Sequence, residues 1–259
     1  MFKATDKMNS KPSLVIEGKV ATITLKKAEF ANRLSVEDLK EIRQHIERVN
    51  QLDSVLVLRI LAEGKYFCSG FDLKAFGADT SLSTLQFGET VDAIESARPI
   101  TIAAIQGGVY GGGTDLCIAC DFRVGTNETN MFIPAAKLGL HFYPGGLRRY
   151  VNRVGLDKSK EIFLLAKHYA AEELKSMGFL THLVKKDDLS KTIQEITNKL
   201  SQMAPLALLP VKKHLNLIAN NEFQIEEITQ LVKASEASND IKEGVSAWAE
   251  KREPIFKGS

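Results

Sequence analysis

The order of apolar patterns along this chain predicts an α/β fold with crossover connections between parallel strands. Two observations carry that reading. Runs rich in β-branched residues alternate with stretches of helical period from residue 13 to about 185. Beyond 185 the pattern is helical only.

The elements follow in order. "SLVIEGKVATITL" reads as two strands joined by a Glu-Gly turn. From Ser35 the period changes: Leu39, Ile42, Ile46 and Val49 recur every three or four residues, and Ser35 with Asp38 forms a helix-start signal. Val55 to Leu61, "VLVLRIL", is continuous apolar sequence, as in a strand covered on both faces. The turn "AEGKYF" and the segment "CSGFDLKAF" come next, and 77–97 read as loop and helix. Pro99 to Ile105 is a second buried strand, followed by a helix over about 114–120 and the strand "DFRVG". The segment "LHFYPGGLRRY" reads as a loop, with helices expected from Asp157 to Lys167 and from Ala171 to a stop at Gly178, then the strand "FLTHLV". Leu189, Ile193, Ile196 and Leu200 mark one helix of the tail, and three more follow to Lys251. The expected division is a core over 1–200 and a helical region over 201–259 that serves oligomerisation.

Composition narrows the classes of function. The 259 residues are 44% hydrophobic and 25% charged, with a net charge of +2. Such a balance gives no reason to expect a nucleic-acid partner. No stretch approaches the ~18 continuous apolar residues of a membrane span, so no membrane partner and a cytoplasmic location are expected. Cys117 and Cys120 form a C-x-x-C, but it lies in the apolar turn "LCIACDF" with no second pair, which favours packing over metal or redox chemistry.

"QGGVYGGGTDLCIACDF", Gln106 to Phe122, holds five glycines within seven residues and one carboxylate, Asp115, just after them. A P-loop needs Lys-Ser/Thr after the last glycine, and Thr114-Asp115 stands there. No frame gives G-x-G-x-x-G, and no G-x-S-x-G elbow exists in the chain. Bare N–H groups at a helix start can instead hold a developing oxyanion, and glycine lets a carbonyl come close. The natural source of a second donor is "FCSGFDL", Phe67 to Leu73, another strand end that turns through a glycine.

These two segments together resemble the signatures of the crotonase family, the enoyl-CoA hydratase/isomerase superfamily: "GKYFCSGFDLKAF" the first and "ITIAAIQGGVYGGGTDLCIACDFRVGT" the second. The stretches from "AAKLGLHFYPGG" to "THLV" and from "SNDIKEG" to the C-terminus agree in order and spacing. The resemblance implies a superhelix of ββα turns with a C-terminal helical region, assembled as a homotrimer or hexamer, and an acyl-CoA thioester as substrate. No cofactor is implied, since CoA is part of that substrate, and no metal. It places the oxyanion hole at the main-chain N–H of Phe71 and Gly112, beside Gly70 and Gly111. CoA contacts are implied at Phe30, Ala31, Arg33, Lys74, Trp248 and Lys251. Asp72 reads first as a helix-start cap beside that site.

Hydratases of the family use two glutamates. Asp115 stands at the first position and Ala135 at the second, within Pro134-Ala135-Ala136-Lys137-Leu138-Gly139. Asp115 is then the expected acid/base, and His141 and Tyr143 are the nearby groups that could share its work. The expected function is an acyl-CoA-transforming enzyme of this family passing through a thioester enolate, with an acyl-CoA-binding protein that has lost catalysis as the alternative.

Overall fold

The computed structural model describes residues 10–72 and 84–259. Its strands are β1 (Ser13–Glu17), β2 (Val20–Leu25), β3 (Val57–Ala62), β4 (Ile100–Ile105), β5 (Val109–Tyr110), β6 (Phe122–Thr126), β7 (Asn130–Phe132), β8 (Tyr169–Ala170) and β9 (His182–Val184). The larger sheet runs β1-β2-β3-β4-β6-β9. Its first pair is an antiparallel hairpin and every later pair is parallel. A smaller sheet, β5-β7-β8, combines one parallel and one antiparallel pair.

The helices are α1 (Val36–Asn50), α2 (Thr84–Glu95), α3 (Gly112–Ile118), α4 (Pro144–Val154), α5 (Leu156–Leu165), α6 (Ala171–Ser176), α7 (Leu189–Ser201), α8 (Pro205–Ala219), α9 (Ile225–Glu236) and α10 (Asn239–Glu250). α1 starts as its sequence predicts. Ser35 Oγ accepts from Asp38 N, and the Asp38 carboxylate accepts from Ser35 N at 2.8 Å. Leu39, Ile42, Ile46 and Val49 are buried on one stripe.

A repeating path connects the two sheets. After a strand of the larger sheet, the chain makes a short extended piece in a second row and then enters a helix. Leu34 bridges Phe71, Cys68 bridges Val109, and β5 pairs with β7, so the pieces after β2, β3, β4 and β6 lie side by side. This is the expected ββα superhelix, built because each long strand buries both faces and its helix must return over the sheet. The main core lies between the sheet and the helices that follow these pieces, α1, α2 and α3 among them. The other face is covered by α7, where Ile193 joins Leu56, Val57, Ile102 and Val124.

One segment departs from the sequence expectation. Residues 144–154, read as a loop, form α4. Pro144 sits in its first turn, where a missing N–H costs nothing, and the two glycines behind it do not break the helix. Cys117 and Cys120 pack in the core, fully buried. Burial pushes the Cys120 thiol up to about 12 and the Cys117 thiol in the same direction.

α8 is tied to the core through Lys212, whose Nζ donates to the Pro99 carbonyl at 2.6 Å and lies 2.8 Å from the Asp121 carboxylate. α9 packs on α8 and α10 on α9. Val211, Leu215, Ile218, Ile225 and Trp248 on these helices face outward. Among the described residues no helix is long and apolar enough to cross a membrane.

Candidate active site

Two strand ends meet to form the site. At the first, Leu34 N donates to Gly70 O and Asp72 N donates to Leu34 O, both at 2.9 Å. In a parallel bridge of this kind the middle residue directs its own peptide groups the other way, so the Phe71 N–H faces away from Leu34. At the second, Gly111 N donates to Phe132 O at 3.0 Å, and α3 begins at Gly112. Among the described residues no backbone carbonyl accepts from the Gly112 N–H.

Gly70 is what allows the two ends to touch. Its φ is +89°, and a Cβ there would lie 2.9 Å from the Gly112 nitrogen. A Cβ on Gly112 would lie 2.7 Å from the Phe87 ring. The glycine cluster of the sequence therefore does two jobs here: it admits the neighbouring turn, and it leaves the start of α3 flat against an aromatic ring.

Asn32 braces the first turn. Its Nδ2 donates to Glu63 O and Tyr66 O, each at 2.8 Å, and its own carbonyl accepts from Cys68 Sγ at 3.3 Å. The same sulfur accepts from Gly70 N, and Ser69 N donates to Ala31 O. Asn32 is buried and has φ of +51°. Asn32→Ala is expected to cost about 2–4 kcal/mol, from the lost donor to Glu63 O and a left-handed alanine, while Tyr66 O keeps Gln106 Nε2 at 3.2 Å. Asn32→Gly should recover the backbone share, a difference that urea midpoints at constant slope would measure.

The two turns open on a cavity of about 310 Å³. Of the site residues expected from the sequence, Phe71, Gly111, Gly112, His141 and Tyr143 are on its wall together with Ala135, and the other described ones are not among its lining. Ala135, the first residue of a short 3-10 turn, lies on this wall and brings no group that could take or give a proton. Among the described residues, no Asp, Glu, Lys or Arg side chain lines this space.

Asp115, the expected acid/base, lies behind the wall. It is fully buried and not on the cavity wall. Arg149 Nε donates to its Oδ1 at 3.0 Å and Arg149 Nη2 to its Oδ2 at 2.7 Å. The Tyr143 hydroxyl donates to Oδ2 at 2.6 Å. A carboxylate held by a bidentate guanidinium and a phenol has both oxygens engaged. Arg149 also reaches Asp92 at 2.6 Å and Glu95 at 3.1 Å. Burial works against its charge, but its bonds to Asp115 and Asp92 prevail and raise its pKa. Burial first, and then the charge of Asp115, raise Tyr143 well above the ordinary tyrosine range, so its proton stays on through neutral pH.

His141 is exposed at the rim, its Nδ1 2.7 Å from Phe142 O. Arg33 and Asp72, both expected near CoA, form an ion pair with each other at 3.2 Å. Phe30 and Ala31 end a 3-10 turn, Ala31 with φ of +50°. Lys74 lies outside the described residues. Trp248 is 87% exposed and Lys251 caps α10, and neither lines the cavity. Sequence reading missed Arg149 and Phe87. Arg149 looks like its neighbours Arg148 and Arg153, and Phe87 sits in a helix of weak pattern. His168 stacks on Phe132 of the cavity wall, with ring centroids 4.1 Å apart.

Comparison with known proteins agrees with this fold. A family model described as enoyl-CoA hydratase/isomerase matches residues 15–259. The short-chain-enoyl-CoA hydratase of Clostridium acetobutylicum is 28% identical over 247 residues, covering 91% of this chain and 93% of its own. The peroxisomal Δ(3,5)-Δ(2,4)-dienoyl-CoA isomerase of Arabidopsis thaliana is 28% identical, covering 93% of each. Among solved structures, an enoyl-CoA hydratase from Bacillus anthracis superposes with a TM-score of 0.84 at 26% identity, covering 96% of this chain and 99% of that one.

Proposed function

The chain belongs to the enoyl-CoA hydratase/isomerase family, and from that premise we propose how this acyl-CoA-transforming enzyme works. The thioester oxygen sits between the N–H groups of Phe71 and Gly112, which stabilise the enolate as charge moves onto it. One such donor is worth about 3 kcal/mol of barrier. The observation that carries this reading is the approach of Gly70 to the Gly112 nitrogen on the cavity wall.

Proton transfer does not follow the two-carboxylate scheme. Ala135 has no proton to give, and Asp115 is committed to Arg149 and Tyr143. Asp115 acts as a positioning residue, holding the Tyr143 ring against the wall. His141 and Tyr143 are the titratable groups left beside the substrate, and they do not reproduce the carboxylate pair that supplies the base for water and the proton for carbon in hydration. The reaction is then an enolate-based conversion other than efficient hydration. The outward apolar residues of α8, α9 and α10 fit a homotrimer or hexamer of this chain, with Trp248 and Lys251 reaching CoA only in the assembly.

The test is the conjugated-thioester absorbance of crotonyl-CoA together with calorimetric titration of acyl-CoAs. Binding is expected with slow or no loss of absorbance. Rapid loss that disappears in a stably folded Asp115→Asn would restore Asp115 as the acid/base. Failure to bind any acyl-CoA would remove the proposal as a whole.

A further inference from the structure

His141 stands on the cavity wall between two anchored residues. On one side, Leu140 N donates to Ala135 O at 2.9 Å. On the other, Phe142 packs against the main core, stacked on Tyr143 with centroids 4.6 Å apart and leaning on Phe163 at 4.8 Å. The backbone at His141 is therefore held from both sides, although the residue itself is exposed.

The hydrogen bond of the ring decides which nitrogen is basic. Nδ1 lies 2.7 Å from the Phe142 carbonyl oxygen, which can only accept, so Nδ1 carries a proton. In the neutral ring the lone pair is then on Nε2. Among the described residues no hydrogen bond engages Nε2. The neighbouring titratable groups are arranged differently. Both oxygens of Asp115 accept from Arg149, and one of them also takes the Tyr143 proton. Tyr143 itself stays protonated through neutral pH. Neither is set up to take a proton from carbon.

We infer that His141 is a catalytic base and acts through Nε2. The inference rests on the thioester-enolate reading above. In this step the C–H bond next to the thioester carbonyl breaks and an N–H bond forms at Nε2. The electron pair moves onto the carbonyl oxygen, between the N–H groups of Phe71 and Gly112. The imidazolium then returns a proton to carbon, and the thioester is restored. An exposed imidazolium trades its protons with water, so hydrogen from the solvent enters the substrate.

Deuterium entry from heavy water into butyryl-CoA and octanoyl-CoA, followed by mass spectrometry with the full chain, tests this. The unaltered protein is expected to label the carbon next to the carbonyl. His141→Gln, at an exposed position, should lower the labelling rate by about 10²–10⁴, the share of one general base. Its affinity for the same thioesters, by calorimetric titration, should be unchanged. Added imidazole should restore part of the labelling to His141→Ala, which a merely structural role would not allow. Labelling by His141→Gln within about tenfold of the unaltered protein overturns the inference and leaves the enolate reading standing. Parallel loss of labelling and affinity overturns it too, since His141 would then serve binding. If the unaltered protein binds these thioesters without labelling them, the inference and the enolate reading fall together. If it binds neither, the acyl-CoA reading falls with them.

Discussion

Arg149→Met is expected to destabilise the protein by about 3–5 kcal/mol, the usual cost of removing one partner from a buried ion pair. Arg149 is fully shielded from solvent and touches three carboxylates, those of Asp92, Glu95 and Asp115. Asp92 is half exposed and can turn to water, and Glu95 keeps Arg148 at 3.0 Å. Asp115 has no such outlet. Its remaining donor would be the Tyr143 hydroxyl, a neutral group that cannot balance a buried charge. Denaturant unfolding should show a lower midpoint at unchanged slope. The double variant Arg149→Met with Asp115→Leu should recover a large part of the loss, because a buried pair replaced by apolar groups is often near neutral.

The same residues separate two roles for Asp115. As a positioning residue its change to Asn should preserve turnover within about tenfold and affect kcat through Tyr143. Removal of a general acid or base costs about 10²–10⁴. Stability should fall in both cases, so only the rate discriminates. Stably folded Asp115→Asn with turnover reduced by 10³ or more would contradict the positioning role.

Gly70→Ala is expected to reduce turnover by about 10²–10³, the effect of losing one oxyanion donor. Two forces act together. An alanine at φ of +89° is strained by about 1–2 kcal/mol, and its Cβ would lie 2.9 Å from the Gly112 nitrogen and 3.0 Å from Tyr110 O. The backbone must separate, and the two N–H groups on either side of that contact no longer converge. Acyl-CoA affinity should change less than kcat, since no side chain of the cavity wall is removed. A parallel loss in binding and rate, or no loss in rate, would mean that Phe71 and Gly112 do not act as a pair.

Much of this architecture is legible in the chain. β-branched runs and helical periods lie close together in sequence, so the sheet strands, α1 and the helical tail can be read locally. The glycines before Asp115 and the alanine at 135 are read just as directly, because each is defined by what it lacks. α4 escaped because Pro144-Gly145-Gly146 is turn chemistry in isolation, while in the fold the proline sits harmlessly in the first turn. The short strands β5, β7 and β8 escaped because two or three residues carry no period.

Residue order alone already displays two glycine-bearing turns, one acid after the second, and a methyl group at position 135. The partners of that acid, by contrast, come from packing in three dimensions. Asp115 and Arg149 are 34 positions apart, and nothing local distinguishes this arginine from the two near it. A buried carboxylate takes the partners that packing delivers, and here α4 delivers the Arg149 guanidinium while the residue before it, Tyr143, delivers a phenol whose ring also lines the cavity. The pairing is a property of distance and burial, which no short stretch of sequence contains.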